Sequence, residues 1–379
     1  MKGLLYYGNK DIRYSEDIEE PQIVNANDVK IKVAFCGICG TDLHEFLDGP
    51  IFFPKSTEDK DKISGLSLPL CPGHEFSGTV LEIGSDVTNV KPGDNVVVEA
   101  TGHCIDRMRY KDTIQQDLPF CSSCKLGKPN CCDSLGFCGL GVGNGAMSEK
   151  VVYGSSHVIK IPDTLPLDIA ALVEPLSVAW HAVEIANFKE GQTALVLGGG
   201  PIGLATILAL KGHKAGKVIC SEPALIRRQF AEKLGAQVFN PMDHKDDAIE
   251  VLKSFTEDNI GFDASFDCSG IKITYEQSID ALRTSGIAVN VAIWPNKPIA
   301  VNPMTLTYHE KVSTGSMCYV VKDFEQVIDA LDKKLIDPEV AKHLITGKFN
   351  LRDGIAKGFQ QLIDHKESNV KVLVTPDEV

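Results

Sequence analysis

Hydrophobic residues fall into two kinds of spacing along this chain. Up to about residue 157 they form short runs rich in β-branched residues, such as Val29-Lys30-Ile31-Lys32-Val33, Phe76 to Gly84 and Asn95 to Val98. Gly, Pro and Asn punctuate them, as in Lys91-Pro92-Gly93-Asp94, so the pattern predicts short strands joined by turns in a β-rich barrel or sandwich. From 193 to about 318 the pattern changes. Apolar runs at 193–197, 217–220, 264–268 and 286–293 alternate with helix-compatible segments from 202 and over 226–234 and 275–282. Such alternation predicts a parallel sheet with crossover helices. Helices over 324–331 and 354–365 and a strand over 370–374 follow, and these should rejoin the first domain.

Residues 193–222, TALVLGGGPIGLATILALKGHKAGKVICSE, organise the second pattern. Gly198, Gly200 and Gly203 have the G-x-G-x-x-G spacing between a strand and a helix that continues through Pro201 and Ile202. A backbone without Cβ can there approach a pyrophosphate held at the helix N-terminus, as in a Rossmann dinucleotide domain. Glu222 stands nineteen residues beyond the last glycine, at the end of the next strand, where a carboxylate accepts hydrogen bonds from a ribose hydroxyl pair. NAD is the cofactor this favours. The eighteen uncharged positions at 193–210 could suggest a membrane span, but the glycine-proline turn would break that helix in lipid.

At 379 residues the chain is long enough for two domains, at about 150 residues each. Its 43% hydrophobic and 23% charged content is globular, and the net charge of −13 opposes nucleic acid or an anionic membrane as partner. The first twenty residues turn acidic without an apolar core, unlike a secretory or transit segment, so a cytoplasmic protein is expected.

Nine of the twelve cysteines lie in the first 138 residues, which in a reducing compartment points to thiols or metal ligands rather than disulfides. Cys36-Gly37-Ile38-Cys39 could be a redox pair, but no thioredoxin-like pattern follows, and a metal ligand is the better reading. Cys121, Cys124 and Cys132 have spacing that suits a closed tetrahedral zinc site. Cys104 is the favoured fourth ligand, because Cys131 adjoins Cys132; buried free thiols are the alternative. Glu174 is a lone acid in the apolar segment 170–181, and burying it calls for a partner or a metal. The long stretch 45–70, with Phe46, Phe52 and Phe53, reads either as the rim of a cleft or as a solvated excursion.

Taken together, G-I-C-G-T-D-x-H at 37–44, G-H-E-x-x-G at 73–78, V-x-P-G-D-x-V at 90–96, the cysteine lobe and G-x-G-P-I-G at 198–203 resemble the zinc-containing medium-chain dehydrogenases. The resemblance implies a GroES-like β-rich catalytic domain over 1–160 and 319–379 and a Rossmann NAD-binding domain over 161–318. It implies Cys39, His74 and Glu174 as ligands of a catalytic zinc, with Glu75 as an alternative or exchanging ligand. Thr41 would bond the substrate oxygen, His44 would pass its proton to solvent, Asp42 would orient His74, and Arg227 would reach the adenosine ribose. A structural zinc would be held by Cys104, Cys121, Cys124 and Cys132. One departure is Leu118, which occupies the place of a lobe cysteine, so an insertion separates Cys104 from Cys121.

Glu174-Pro175-Leu176 and the 45–70 insert are similar to the polyol and diol dehydrogenases of that family. The implied activity is NAD-dependent oxidation of a vicinal secondary diol, (R,R)-2,3-butanediol to (R)-acetoin and the reverse, by a homodimer. A catalytic zinc acidifies the hydroxyl whose proton must leave as hydride departs. The rivals are a sorbitol- or xylitol-type polyol dehydrogenase and a catalytically silent nucleotide-binding protein on the same fold.

Overall fold

A computed structural model describes residues 1–295 and 297–378. The chain divides into two compact units, one of residues 1–174, 320–328 and 345–378, the other of 175–319 and 329–344.

The spine of the first unit is the strand Asp28–Ile38, eleven residues long, which pairs antiparallel with three others: Lys371–Thr375, Glu75–Ile83 and Lys150–Gly154. Period-two patterning works as the sequence suggests. Val29, Ile31 and Val33 are fully buried on one face, while Lys30 on the other pairs with Glu20 at 2.6 Å. The sheet continues from Glu75–Ile83 to Asn95–Val98 and Val158–Lys160, and Ile345–Asn350 adds a parallel edge beside Lys371–Thr375. Register decides what meets at one end of the spine. Gly37 lies opposite Glu75, and Ile38 opposite Val372, so Cys39, Glu75 and Lys371 come together.

In the second unit six parallel strands take the order Gln237–Phe239, Lys217–Ser221, Thr193–Leu197, Phe262–Asp267, Leu282–Asn290, Val312–Gly315. Chain order reverses beside Thr193–Leu197, which makes the turn after it the topological switch point of a Rossmann sheet. Leu195, Leu197, Ile219, Phe239, Leu252, Phe262 and Leu282 form a shared core with covering helices. The helix Pro201–Gly212 is buried from Gly203 to Leu210, as a helix covered on several sides must be.

The structure moves two boundaries expected from sequence. Residues 161–174 belong with the first unit, because the Ser77 hydroxyl donates to the Leu167 carbonyl at 2.5 Å and Lys348 pairs with Asp168. Residues 329–344 belong with the second, where Ile336 lies against Gly212. The stretch 45–70 is solvated in part, with residues 55–60 exposed. It starts inside the helix Gly40–Asp48 and buries Phe53, Ile63 and Leu68. No helix among the described residues is long and apolar enough to cross a membrane.

Candidate active site

Cys39 follows the last residue of the spine strand, Ile38, and caps the helix Gly40–Asp48. The turn is fixed by Asp42, which is buried and accepts the Cys39 N–H through Oδ2 at 2.9 Å. The other oxygen, Oδ1, faces His74 Nδ1 at 3.8 Å, and neither atom makes a hydrogen bond. Asp42 thus sits behind His74, as a residue that orients a metal-binding imidazole does. Only glycine fits at 37, since a Cβ there would come within 2.2 Å of Glu75 Oε2.

Ligand atoms of Cys39, His74 and Glu75 lie within 4.8 Å of one another. Glu75 is buried and its carboxylate meets Lys371 Nζ at 2.6 Å through Oε1. Lys371 also donates to the Ile38 carbonyl at 3.4 Å. Glu174, at the start of the helix Val173–Ile185, is buried and acts electrostatically on both His74 and Lys371. Burial opposes charge on His74, yet Asp42, Cys39 and Glu174 hold its pKa well above the ordinary value. A field that retains a proton in a buried site favours a divalent cation for the same reason. Soft sulfur, imidazole and carboxylate are the donors a zinc ion takes, so the residues fit.

The Thr41 hydroxyl lies 3.7 Å from Cys39 Sγ. His44, one turn further along the same helix, is 71% exposed and stands 3.8 Å from Asp48. The ring of Phe137 lies 6.1 Å from that of His74.

A second cluster joins Cys104, Cys121, Cys124 and Cys132, whose sulfurs all lie within 4.8 Å of one another. The chain between Cys104 and Cys121 accommodates the insertion marked by Leu118 and still returns to the other three. Backbone N–H groups donate to three of these sulfurs: Cys121 to Cys104, Cys124 to Cys121, and Cys104 and Ser134 to Cys132, at 3.3–3.4 Å. The Cys124 and Asp133 amides bring the Cys121 thiol down to about 6. Burial pushes the Cys124 and Cys132 thiols up, Cys132 to about 11, so of the three it is Cys121 whose thiolate the amides favour outright. Four sulfurs so close together suit a closed zinc site, whose ion would favour the other thiolates. Cys131 is exposed and stands apart from the group.

In the second unit, Gly198 adopts φ +103° and Gly203 packs so closely that a Cβ would lie 1.8 Å from the Gly198 carbonyl. By contrast, a Cβ at Gly200 would meet nothing within 4 Å, so the loop leaves open space at the N-terminus of the helix Pro201–Gly212. Glu222 is buried; its Oε2 accepts the Gly199 N–H at 2.6 Å and its Oε1 the Ala224 N–H at 2.8 Å. Arg227 lies with its stem against Gly199. A phosphate cradle beside an anchored carboxylate fits a dinucleotide.

Sequence reasoning missed Lys371 and Phe137. The signal for Lys371 was one charge inside the apolar run Val370 to Val374. For Phe137 no local pattern existed, because its neighbour His74 is distant in the chain.

Two family models match: the alcohol dehydrogenase GroES-like domain over residues 25–163 and the zinc-binding dehydrogenase domain over 201–333. The chain is 51% identical over 377 residues to (R,R)-butanediol dehydrogenase of Saccharomyces cerevisiae, covering 100% of this chain and 98% of that protein. The crystal structure of 2R,3R-butanediol dehydrogenase from Bacillus subtilis superposes with a TM-score of 0.86 at 36% identity, covering 99% of both chains. Sorbitol dehydrogenase of the same bacterium is 28% identical over 378 residues, covering 100% of this chain and 98% of that protein. With a GroES-like domain, a Rossmann domain and full-length similarity of this order, the chain belongs to the zinc-containing medium-chain alcohol dehydrogenases.

Proposed function

We propose that this chain is an NAD-dependent dehydrogenase that oxidises (R,R)-2,3-butanediol to (R)-acetoin and catalyses the reverse reduction. The carrying observation is the clustered donor set of Cys39, His74 and Glu75, in a chain half identical to a yeast enzyme of that name. The weaker likeness to sorbitol dehydrogenase favours the diol over the polyol reading.

Cys39, His74 and Glu174 would hold the catalytic zinc in this reading, and Glu75, paired with Lys371, stands beside them as an exchangeable fourth ligand. When bound, zinc supplies Lewis-acid acidification of the substrate hydroxyl. Thr41 accepts the hydroxyl proton and relays it to His44, whose exposed ring releases it to solvent. Asp42 keeps the His74 ring in place throughout. NAD, when bound, would supply the nicotinamide that takes the carbinol hydride, so that one diol and NAD would give one hydroxyketone, NADH and a proton.

Gly198, Gly200, Pro201, Ile202 and Gly203 cradle the coenzyme, with Glu222 and Arg227 at the adenosine ribose. Glu222 supports NAD rather than NADP, because a 2′-phosphate would face its carboxylate. Cys104, Cys121, Cys124 and Cys132 hold a second, structural zinc. The edge strand Val312–Gly315 pairs on one side only among the described residues, with Val301, Met304 and Tyr308 exposed nearby in sequence, which supports a homodimer. Twelve cysteines outside any disulfide, five of them in the two proposed zinc sites, support a cytoplasmic location.

The test is NADH formation with the three butanediol stereoisomers, sorbitol and xylitol, for wild type and His74→Ala. The reading requires fastest turnover of the (R,R) isomer and none above background for the variant. Faster turnover of sorbitol or xylitol, or a retained kcat in His74→Ala, would overturn it.

A further inference from the structure

We propose that Ser269 is a positioning residue for the coenzyme, holding the turn at 198–200 in its binding shape from beside the neighbouring strand; this rests on the NAD-dependent function proposed above. The turn carries three glycines in a row, Gly198 to Gly200. Glycine has the freest backbone of any residue, so this stretch has the most freedom to lose when a pyrophosphate settles on it. Contacts that hold it beforehand lower that cost.

Two neighbouring strands supply such contacts. Beside Lys217–Ser221, the Ser221 carbonyl accepts the Gly198 N–H at 2.9 Å and Glu222 accepts the Gly199 N–H. The second hold comes from the end of Phe262–Asp267. Leu197, the last residue before the turn, lies opposite Asp267, so the segments that leave the two strands start side by side. The Leu197 carbonyl accepts the Cys268 N–H at 3.0 Å and the Ser269 hydroxyl at 3.0 Å. Ser269 Oγ also fills the space in front of Gly198, where a Cβ would come within 2.4 Å of it.

Ser269 is itself held. Asp267 is buried, and its Oδ1 accepts the Ser269 N–H at 3.1 Å and the Thr274 hydroxyl at 2.9 Å. Ser269 as a whole is exposed, so it does little for the core. Without its hydroxyl, the Leu197 carbonyl still has the Cys268 N–H, and that acceptor is not left without a partner. The loss therefore falls on the shape of the turn rather than on the stability of the fold.

The test titrates NADH and ADP-ribose into wild type, Ser269→Ala, Ser269→Gly and Ser269→Thr, with melting temperature as control. ADP-ribose carries the same pyrophosphate without a nicotinamide. Ser269→Ala should weaken both ligands by about three- to tenfold, the worth of one hydrogen bond. KM for NAD should rise by a similar factor, while kcat at saturating NAD does not fall, since the same turn holds the product NADH. Ser269→Thr keeps the hydroxyl and should bind both ligands as wild type does. Ser269→Gly should match the alanine variant, and decides alone if that variant does not fold. Unchanged dissociation constants in a folded alanine variant overturn the inference, as does a threonine variant that binds no more tightly than the alanine one. A wild type that binds neither ligand would instead sink the proposed function, and this inference with it.

Discussion

Lys371 Nζ lies 2.6 Å from Glu75 Oε1, and both side chains are shut away from water. Burial opposes the charge on Lys371, but Glu75, Cys39 and Glu174 together keep it protonated. One cation thus balances several anions at the end of the spine strand. Removing it leaves Glu75 buried and unpaired, so Lys371→Met should destabilise the fold by about 3–5 kcal/mol. Urea unfolding measures this, and Lys371→Arg should restore most of the loss. Wild-type stability in the methionine variant would show that water or relaxation compensates.

His157 carries a pH dependence of defined sign. Its Nδ1 meets Glu99 Oε2 at 2.5 Å and its Nε2 meets Asp106 Oδ1 at 3.0 Å, all three buried. Burial opposes the charged ring, yet Asp106 and Glu99 raise its pKa from 6.5 to about 10. The folded state therefore binds this proton more tightly than the unfolded chain. The stabilisation is complete below about 6.5 and disappears as pH rises through about 10. Between pH 6 and 10 the melting temperature of wild type should fall more steeply than that of His157→Gln. Parallel curves would place the loss elsewhere.

Metal analysis of the purified chain should give two zinc ions per polypeptide. Cys121→Ser should leave one, with a lower melting temperature, because the irregular lobe depends on its metal for shape. Loss of both ions, or of neither, would contradict independent sites at the two clusters.

Glu222→Ser should shift coenzyme preference, raising the kcat/KM ratio of NADP to NAD by about tenfold or more by removing one negative charge from beside the 2′ position. Both carboxylate oxygens of Glu222 are engaged by backbone N–H groups, so the substitution also loosens the glycine turn. A fall in activity with both coenzymes at an unchanged ratio would mean that the turn, rather than the charge, was the property lost.

Elements with a strong local signal were legible in the sequence. The helix read at 226–234 is Leu225–Lys233, the strand read at 264–268 is Phe262–Asp267, and the closing strand read at 370–374 is Lys371–Thr375. Gly198 and Gly203 are confined by local sterics, and local sterics are what sequence spacing encodes. The 354–365 segment was less regular than its pattern suggested, since a short 3₁₀ turn and a π-helical turn precede the α-helix Gln360–Asp364.

Long-range partners were the part that stayed hidden. Glu75 was visible as a candidate, but its partner comes from 296 residues away, through register between strands that no local pattern specifies. The boundary near 160 was placed too early for a similar reason. The strand Val158–Lys160 reads as an ending, whereas the contacts of Leu167 and Asp168 with Ser77 and Lys348 are set only by the folded sheet.

The helix Gly40–Asp48 has a last consequence. Cys39 caps one end of it, and Glu45, nearly two turns on, grips the amides of Ile51 and Phe52. One residue more or fewer between them would swing Glu45 about 100° around the helix axis and release that grip. The exposed residues 55–60 of the following loop can change in composition over many generations. The count of residues from 39 to 45 cannot, and insertions or deletions in that interval should be the ones that selection removes.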